Sequence, residues 1–180
     1  MLIPNLPKIF ILTLLLPYCI NGYSQNITFG QTADVVKSYA ETQVNEFYNS
    51  GANGTYDMAM KTQTKYNNDG HIVEVQLYKL HMPDIQLQKR VDCCIRYVMS
   101  KEILTKIIFQ YRNVTVNELK IIAAKHHILI GQYYFDANFE HYQTIHENPD
   151  GTSSVTFYTT DLDALPKNIR DKVISEQNIE

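Results

Sequence analysis

Tryptophan is absent from the 180 residues, and cysteine is scarce, with three in all. Cys19 falls in the first apolar stretch, which leaves Cys93 and Cys94. Adjacent residues close no loop, so a disulfide framework is excluded. The chain contains no His-Glu-x-x-His, no Gly-x-Ser-x-Gly and no phosphate-cradling glycine loop. No group of His, Cys, Asp and Glu has the spacing of a metal site, so neither metal nor cofactor is expected. Positive charge is also short, with 16 Lys and Arg against 19 Asp and Glu for a net charge of −3, and it forms no block or stripe. A polyanion partner needs such a stripe to displace counterions, so nucleic acid is not expected as a partner.

What is present begins with an address. Lys8 precedes the apolar run Ile9–Leu16, which stops at Pro17, and Gly22-Tyr23-Ser24 places small residues before a cut at Ser24-Gln25. This three-part order predicts a secretory signal peptide over residues 1–24 and a secreted or periplasmic protein. The run is about half the roughly 20 residues a membrane-spanning helix needs, so no integral membrane segment is expected after cleavage. A lipid on Cys19 is the competing reading, against which bulky Tyr18 stands where acylation signals want a small residue. Loss of Lys8 with the leader makes the net charge −4 and leaves residues 25–180, enough for a single domain with a real core.

Within that domain the apolar periodicity changes in blocks. Val35, Val36, Tyr39, Ala40, Gln43, Val44 and Phe47 recur at helical steps after a capping Thr32. Segments 56–66 and 72–80 flank Asn67-Asn68-Asp69-Gly70, a hairpin signature. Val73, Val75 and Leu77 should be buried, with Glu74, Gln76 and Tyr78 wet, so that Glu74→Ala would be nearly silent. Pro83 predicts an irregular connection over 81–90. Strands follow at 91–99 and 103–111, then a helix from the capping box Thr115-Val116-Asn117-Glu118 to about Lys125, with His126 on its inner side. Strands at 128–135, 139–147 and 153–160 lead to a closing helix after Pro166.

The fold class expected is therefore α+β: a mainly antiparallel sheet of about seven strands with helices on one face, the closing helix beside the others. The order helix, four strands, helix, three strands suggests halves 27–111 and 112–180 of a tandem repeat, with a single unrepeated unit as the other reading. Ile27-Thr28-Phe29-Gly30-Gln31-Thr32-Ala33-Asp34-Val35-Val36 resembles the opening of the beta-lactamase-inhibitor-protein-like family and of the related small outer-membrane assembly lipoproteins. The resemblance implies helices packed on a curved antiparallel sheet and an envelope binding module without chemistry of its own. The chain departs from it in its long first half and in lacking the cysteine bridges of the inhibitor type.

Candidate functional residues follow from alternation. Tyr133, Tyr142, His146 and Tyr158 are the binding candidates, because seven aromatics in the last strands cannot all face one core, and exposed Tyr suits interfaces. Cys93 and Cys94 point to opposite faces of a strand, reading as a core hydrophobe and a partly covered neighbour, or as redox candidates. His126 and His127 point apart, and His141 and His146 fall on opposite faces, so neither pair shares a metal. Sequons stand at Asn26, Asn53 and Asn113. Together these predict a non-catalytic exported protein that binds another envelope or secreted protein through an open sheet face. The alternative is a small exported hydrolase or thiol-redox enzyme.

Overall fold

The computed structural model describes residues 27–52 and 57–177. The leader, its cleavage site, Cys19, Asn26 and Asn53 lie outside the described residues.

Helix α1 (Ala33–Asn49) buries Val36, Ala40 and Phe47 on one stripe. The hydroxyl of Thr32 does not cap it. Instead the Ala33 N–H donates to the Glu102 carbonyl at 2.8 Å, so the turn between two later strands closes the helix start. Four strands follow, β1 (Ala59–Tyr66), β2 (Ile72–Asp84), β3 (Lys89–Ser100) and β4 (Ile103–Tyr111). Helix α2 (Val116–His126) then opens on the expected reciprocal box between Thr115 and Glu118. Strands β5 (Ile128–Ile130), β6 (Tyr133–Phe135), β7 (His141–Glu147) and β8 (Ser153–Thr159) come next, and α3 (Lys167–Gln177) closes the chain.

All eight strands form one antiparallel sheet in the order β1-β2-β3-β4-β8-β7-β6-β5. Two meanders thus meet at the β4–β8 pair, each preceded by its own helix. The fold is α+β with a mainly antiparallel sheet.

Three features of the architecture also differ from the sequence reading. Segment 128–135 is two strands, because Gly131 (φ +65°) and Gln132 turn the chain, giving eight strands where about seven were expected. Residues 81–84 and 89–90 are strand rather than an irregular connection. Pro83 pairs with Arg90 on β3, while β1 reaches only Ala59, opposite Leu80, so the missing N–H of Pro83 has no strand to serve. Finally, α1 and α2 share one face of the sheet, but α3 covers the opposite one. Ile169 and Val173 pack with Phe135, which is in register with Tyr142 and Tyr158 on the side away from Val155 and Phe157.

The main core lies between α1, α2 and the inner face, built from Val75, Leu77, Ile95, Tyr97, Ile107, Phe109 and Val155. Leu119, Ile122 and Ala123 are the buried side of α2, whereas His126 is exposed at its end, not on the inner side. A smaller core under α3 holds Ile130, Phe135, Phe139, Leu165, Ile169 and Val173.

Candidate functional site: the uncovered face of the sheet

Directly paired residues of antiparallel strands project from the same face, so the register defines what the outer face presents. One row runs Lys61, Tyr78, Cys94, Gln110, Ser154, His146 across six strands. The next runs Gln63, Gln76, Arg96, Ile108, Thr156, Thr144. A third holds Lys65, Glu74, Val98 and Lys106, and continues through Tyr158 and Tyr142 to Phe135. Helix α3 shelters only the β5–β7 end of this face. Over β1–β4 it is polar, and a groove of about 510 Å³ opens there, lined among others by Lys61, Tyr78, Cys94, Gln110, Arg112 and Thr152.

The floor of the groove is a hydrogen-bonded chain along β2. The Tyr78 hydroxyl donates to Gln76 Oε1, and Gln76 Nε2 donates to Glu74 Oε1. Arg96 grips the same carboxylate with two bonds, Nε to Oε1 at 3.0 Å and a terminal nitrogen to Oε2 at 2.8 Å, and Lys65 Nζ adds a third at 3.2 Å. Glu74 and Gln76 are therefore buried and hydrogen-bonded, not wet as their place in the alternation suggested, while Val73, expected in the core with Val75 and Leu77, is 36% exposed at the start of the strand. Burial pushes the Glu74 pKa up, but the donors from Arg96, Gln76 and Lys65 outweigh burial and hold the carboxyl at about 2. At the far rim Asp150 accepts from Gln110 and from the Thr152 amide and hydroxyl. Lys61 lies over the Tyr78 ring, 5.0 Å from its centroid.

The two cysteines part as their adjacency requires. Cys93 is buried on the inner face beside Tyr111, where burial drives its thiol pKa far above the ordinary value. Cys94 faces the groove, half-buried, and burial raises its thiol despite the nearby Arg96. Both are free thiols. Nucleophilic sulfur needs the thiolate, and neither site favours it.

The aromatic candidates divide. Tyr142 and Tyr158 stack at 5.0 Å with planes 18° apart, and Tyr133 meets Tyr142 edge-on at 5.4 Å. All three are half-buried, and Tyr133 and Tyr142 pack against the α3 core. Lys106 Nζ sits 5.4 Å from the Tyr158 ring centroid. His146 is apart from them, exposed on β7, where it lines an open cleft beside the start of α2 with Thr115, Asn117 and Lys120. Asn113, the sequon within the described residues, has its amide committed: Nδ2 donates to the Arg90 carbonyl at 2.8 Å and Oδ1 accepts from the Asp92 N–H at 3.1 Å.

Sequence reasoning did not pick out Glu74, Gln76, Arg96 and Gln110. The Asn67–Gly70 hairpin could have found the Lys65–Glu74 pair, since its turn fixes that register. The facing of Arg96 on Glu74 needed the β2–β3 register, which the bulge between Lys79 and Met82 hides. Chemically the face offers many hydrogen-bonding groups, and its shifted groups all move away from neutrality: Glu74 down, Cys94, Tyr78 and Arg96 up. Acid–base catalysis near neutral pH wants the reverse. Among the described residues, no three His, Cys, Asp or Glu side chains gather to hold a metal ion, and no helix is long and apolar enough to cross a membrane. Compared with known proteins, the chain matches no family model, no curated protein and no solved structure, so its function must rest on its own residues.

Proposed function

We propose that this chain is an exported, non-catalytic binding protein of the cell envelope or extracellular space, and that it holds a protein partner on the outer face of β1–β4 and β8. The observation that carries this reading is the unequal cover of the sheet. Two helices seal the inner face, while α3 seals only the far end of the outer one, leaving a polar groove with a rigid hydrogen-bonded floor. A floor whose polar groups are already ordered loses little freedom on binding. Lys61 and Arg112 stand at opposite sides of the groove, three strands apart, on the order of 14 Å at the usual strand spacing, and suit carboxylates on the partner. The leader-like residues 1–24 and the resemblance of residues 27–36 to inhibitor-type envelope modules support the export half of the reading.

The test is affinity capture from the producer's envelope and extracellular fractions, with the captured chain's N-terminus read by mass spectrometry. A stoichiometric partner retained by the wild type, lost on Lys61→Glu plus Arg112→Glu, and a chain beginning near Gln25 are the expected results. A partner that the double variant still holds, or a chain retaining Met1, overturns the corresponding half.

A further inference from the structure

Helix α2 ends at a histidine with two claims on one nitrogen. Nδ1 of His127, the C-terminal cap, lies 3.2 Å from the Ala123 carbonyl on its own helix and 3.3 Å from Nε2 of Gln143 on β7. A ring nitrogen accepts when bare and donates when protonated, so the two contacts need opposite states of Nδ1. The Ala123 carbonyl already receives the His127 backbone N–H at 3.0 Å. Gln143 has no such alternative: it is wholly buried, its Oε1 has no partner, and among the described residues the ring is its one side-chain hydrogen-bond partner. Neutral His127 therefore keeps Nδ1 bare toward Gln143 and its proton on Nε2.

The surroundings oppose a charged ring without forbidding one. Gln143 stands on the inner face between Tyr134 of β6 and Phe157 of β8, both buried. Burial is the main reason the His127 pKa lies below its ordinary 6.5, and His126 beside it adds repulsion. Lys125 brings a further positive charge to the same turn of α2. Asp136, between β6 and β7, pulls the other way. Its carboxylate is committed, with Oδ2 3.1 Å from His141 Nδ1 on β7 and Oδ1 accepting the Glu140 N–H at 2.9 Å.

The geometry points to a proton-operated catch: neutral His127 fastens the end of α2 to β7 through Gln143, and protonation turns the ring bond back onto Ala123 and releases the helix end. In the charged ring Nδ1–H donates to the Ala123 carbonyl, at a helix C-terminus where a cation is favoured. The buried Gln143 amide then has neither of its groups paired, and opening the last turn to water relieves both that loss and the buried charge. Turning the amide over in place would give Oε1 the ring proton but carry two N–H donors to the spot where Oε1 now finds no partner. The unfolded ring titrates at 6.5 and the closed one lower, so the catch is fully set above 6.5 and weakens as pH falls below it. It does not rest on the groove, which lies on the other face of the sheet.

Two nuclear magnetic resonance measurements on the purified protein test it. Ring nitrogen shifts at neutral pH should show His127 protonated on Nε2 with Nδ1 bare. In Gln143→Leu, which removes the donor that selects this tautomer, the neutral ring should move its proton to Nδ1, toward Ala123. Hydrogen exchange of the last-turn amides Ala124–His127, corrected for intrinsic rates, should show local opening rising about three- to tenfold as pH falls through the His127 titration, the worth of one net hydrogen bond. His127→Asn, which cannot titrate, should abolish that rise, and His126→Asn should leave it intact. A neutral His127 already protonated on Nδ1 in the wild type, opening that ignores pH, or a rise that survives His127→Asn overturns the inference.

Discussion

Glu74 is where the alternation of β2 misleads most. Its neighbours Val75 and Leu77 face the core, so period two sends it to water, yet three donor side chains from β1, β2 and β3 close around it. Glu74→Ala would leave Arg96 and Gln76 partly buried without their acceptor, at a cost of about 1–3 kcal/mol. The carboxyl's folded pKa of about 2 lies below its unfolded value, so its contribution to stability is fully present above the unfolded pKa. That contribution is lost as pH falls from there through about 2. Urea unfolding of the wild type should therefore show a falling midpoint over that acid window. Glu74→Gln should be less stable at neutral pH and flatter across the window. The adjacent pair Cys93-Cys94, by contrast, was readable from sequence, because successive strand residues must face opposite ways whatever packs on them.

Among the elements, the β5–β6 hairpin shows how one residue sets a join. Gly131 adopts φ +65°, and a Cβ built there would lie 2.7 Å from Ile169 Cδ1 on α3. Gly131→Ala should cost about 1–2 kcal/mol, combining left-handed strain with displacement of a flexible side-chain tip. Adding Ile169→Val removes that tip, so the double variant should be more stable than the sum of the single losses, as a double-mutant cycle by thermal unfolding would measure. If the effects simply add, α3 does not pack on the turn as described. The sequence showed the turns at Asp69-Gly70 and, between β7 and β8, at Asp150-Gly151, but not this one, since Gly-Gln inside an apolar segment gives little composition signal. The Thr115–Glu118 box was legible because capping is a local matter of four residues. Thr32 looked alike and does not cap by its hydroxyl, because the Glu102 carbonyl from a distant turn serves the helix start.

For the molecule as a whole, the inner face of the sheet decides stability. Val75 is fully buried between α1 and the strands, while Val73, two residues earlier on the same face, is 36% exposed near the strand's start. Val75→Asp should abolish the cooperative unfolding transition, since an unpaired buried carboxylate costs several kcal/mol. Val73→Asp should shift stability by less than about 1 kcal/mol, and circular dichroism melts of the two variants separate the cases. The sequence by itself determined the α+β class, the Asn67–Gly70 hairpin, both main helices, the burial of Val75 and Leu77 and the opposed cysteines. These follow from periodicity and turn chemistry acting over a few residues. Only the tertiary structure decided that β4 pairs with β8, that α3 crosses to the outer face, and that Glu74, Gln76 and Arg96 close into one network beneath a groove. Tyr133 and Tyr142 gather under α3 for the same reason, with Tyr158 stacked on Tyr142 and His146 left elsewhere. Each of these depends on which strands lie side by side and in what register, and residues far apart in the chain set that by burying surface together.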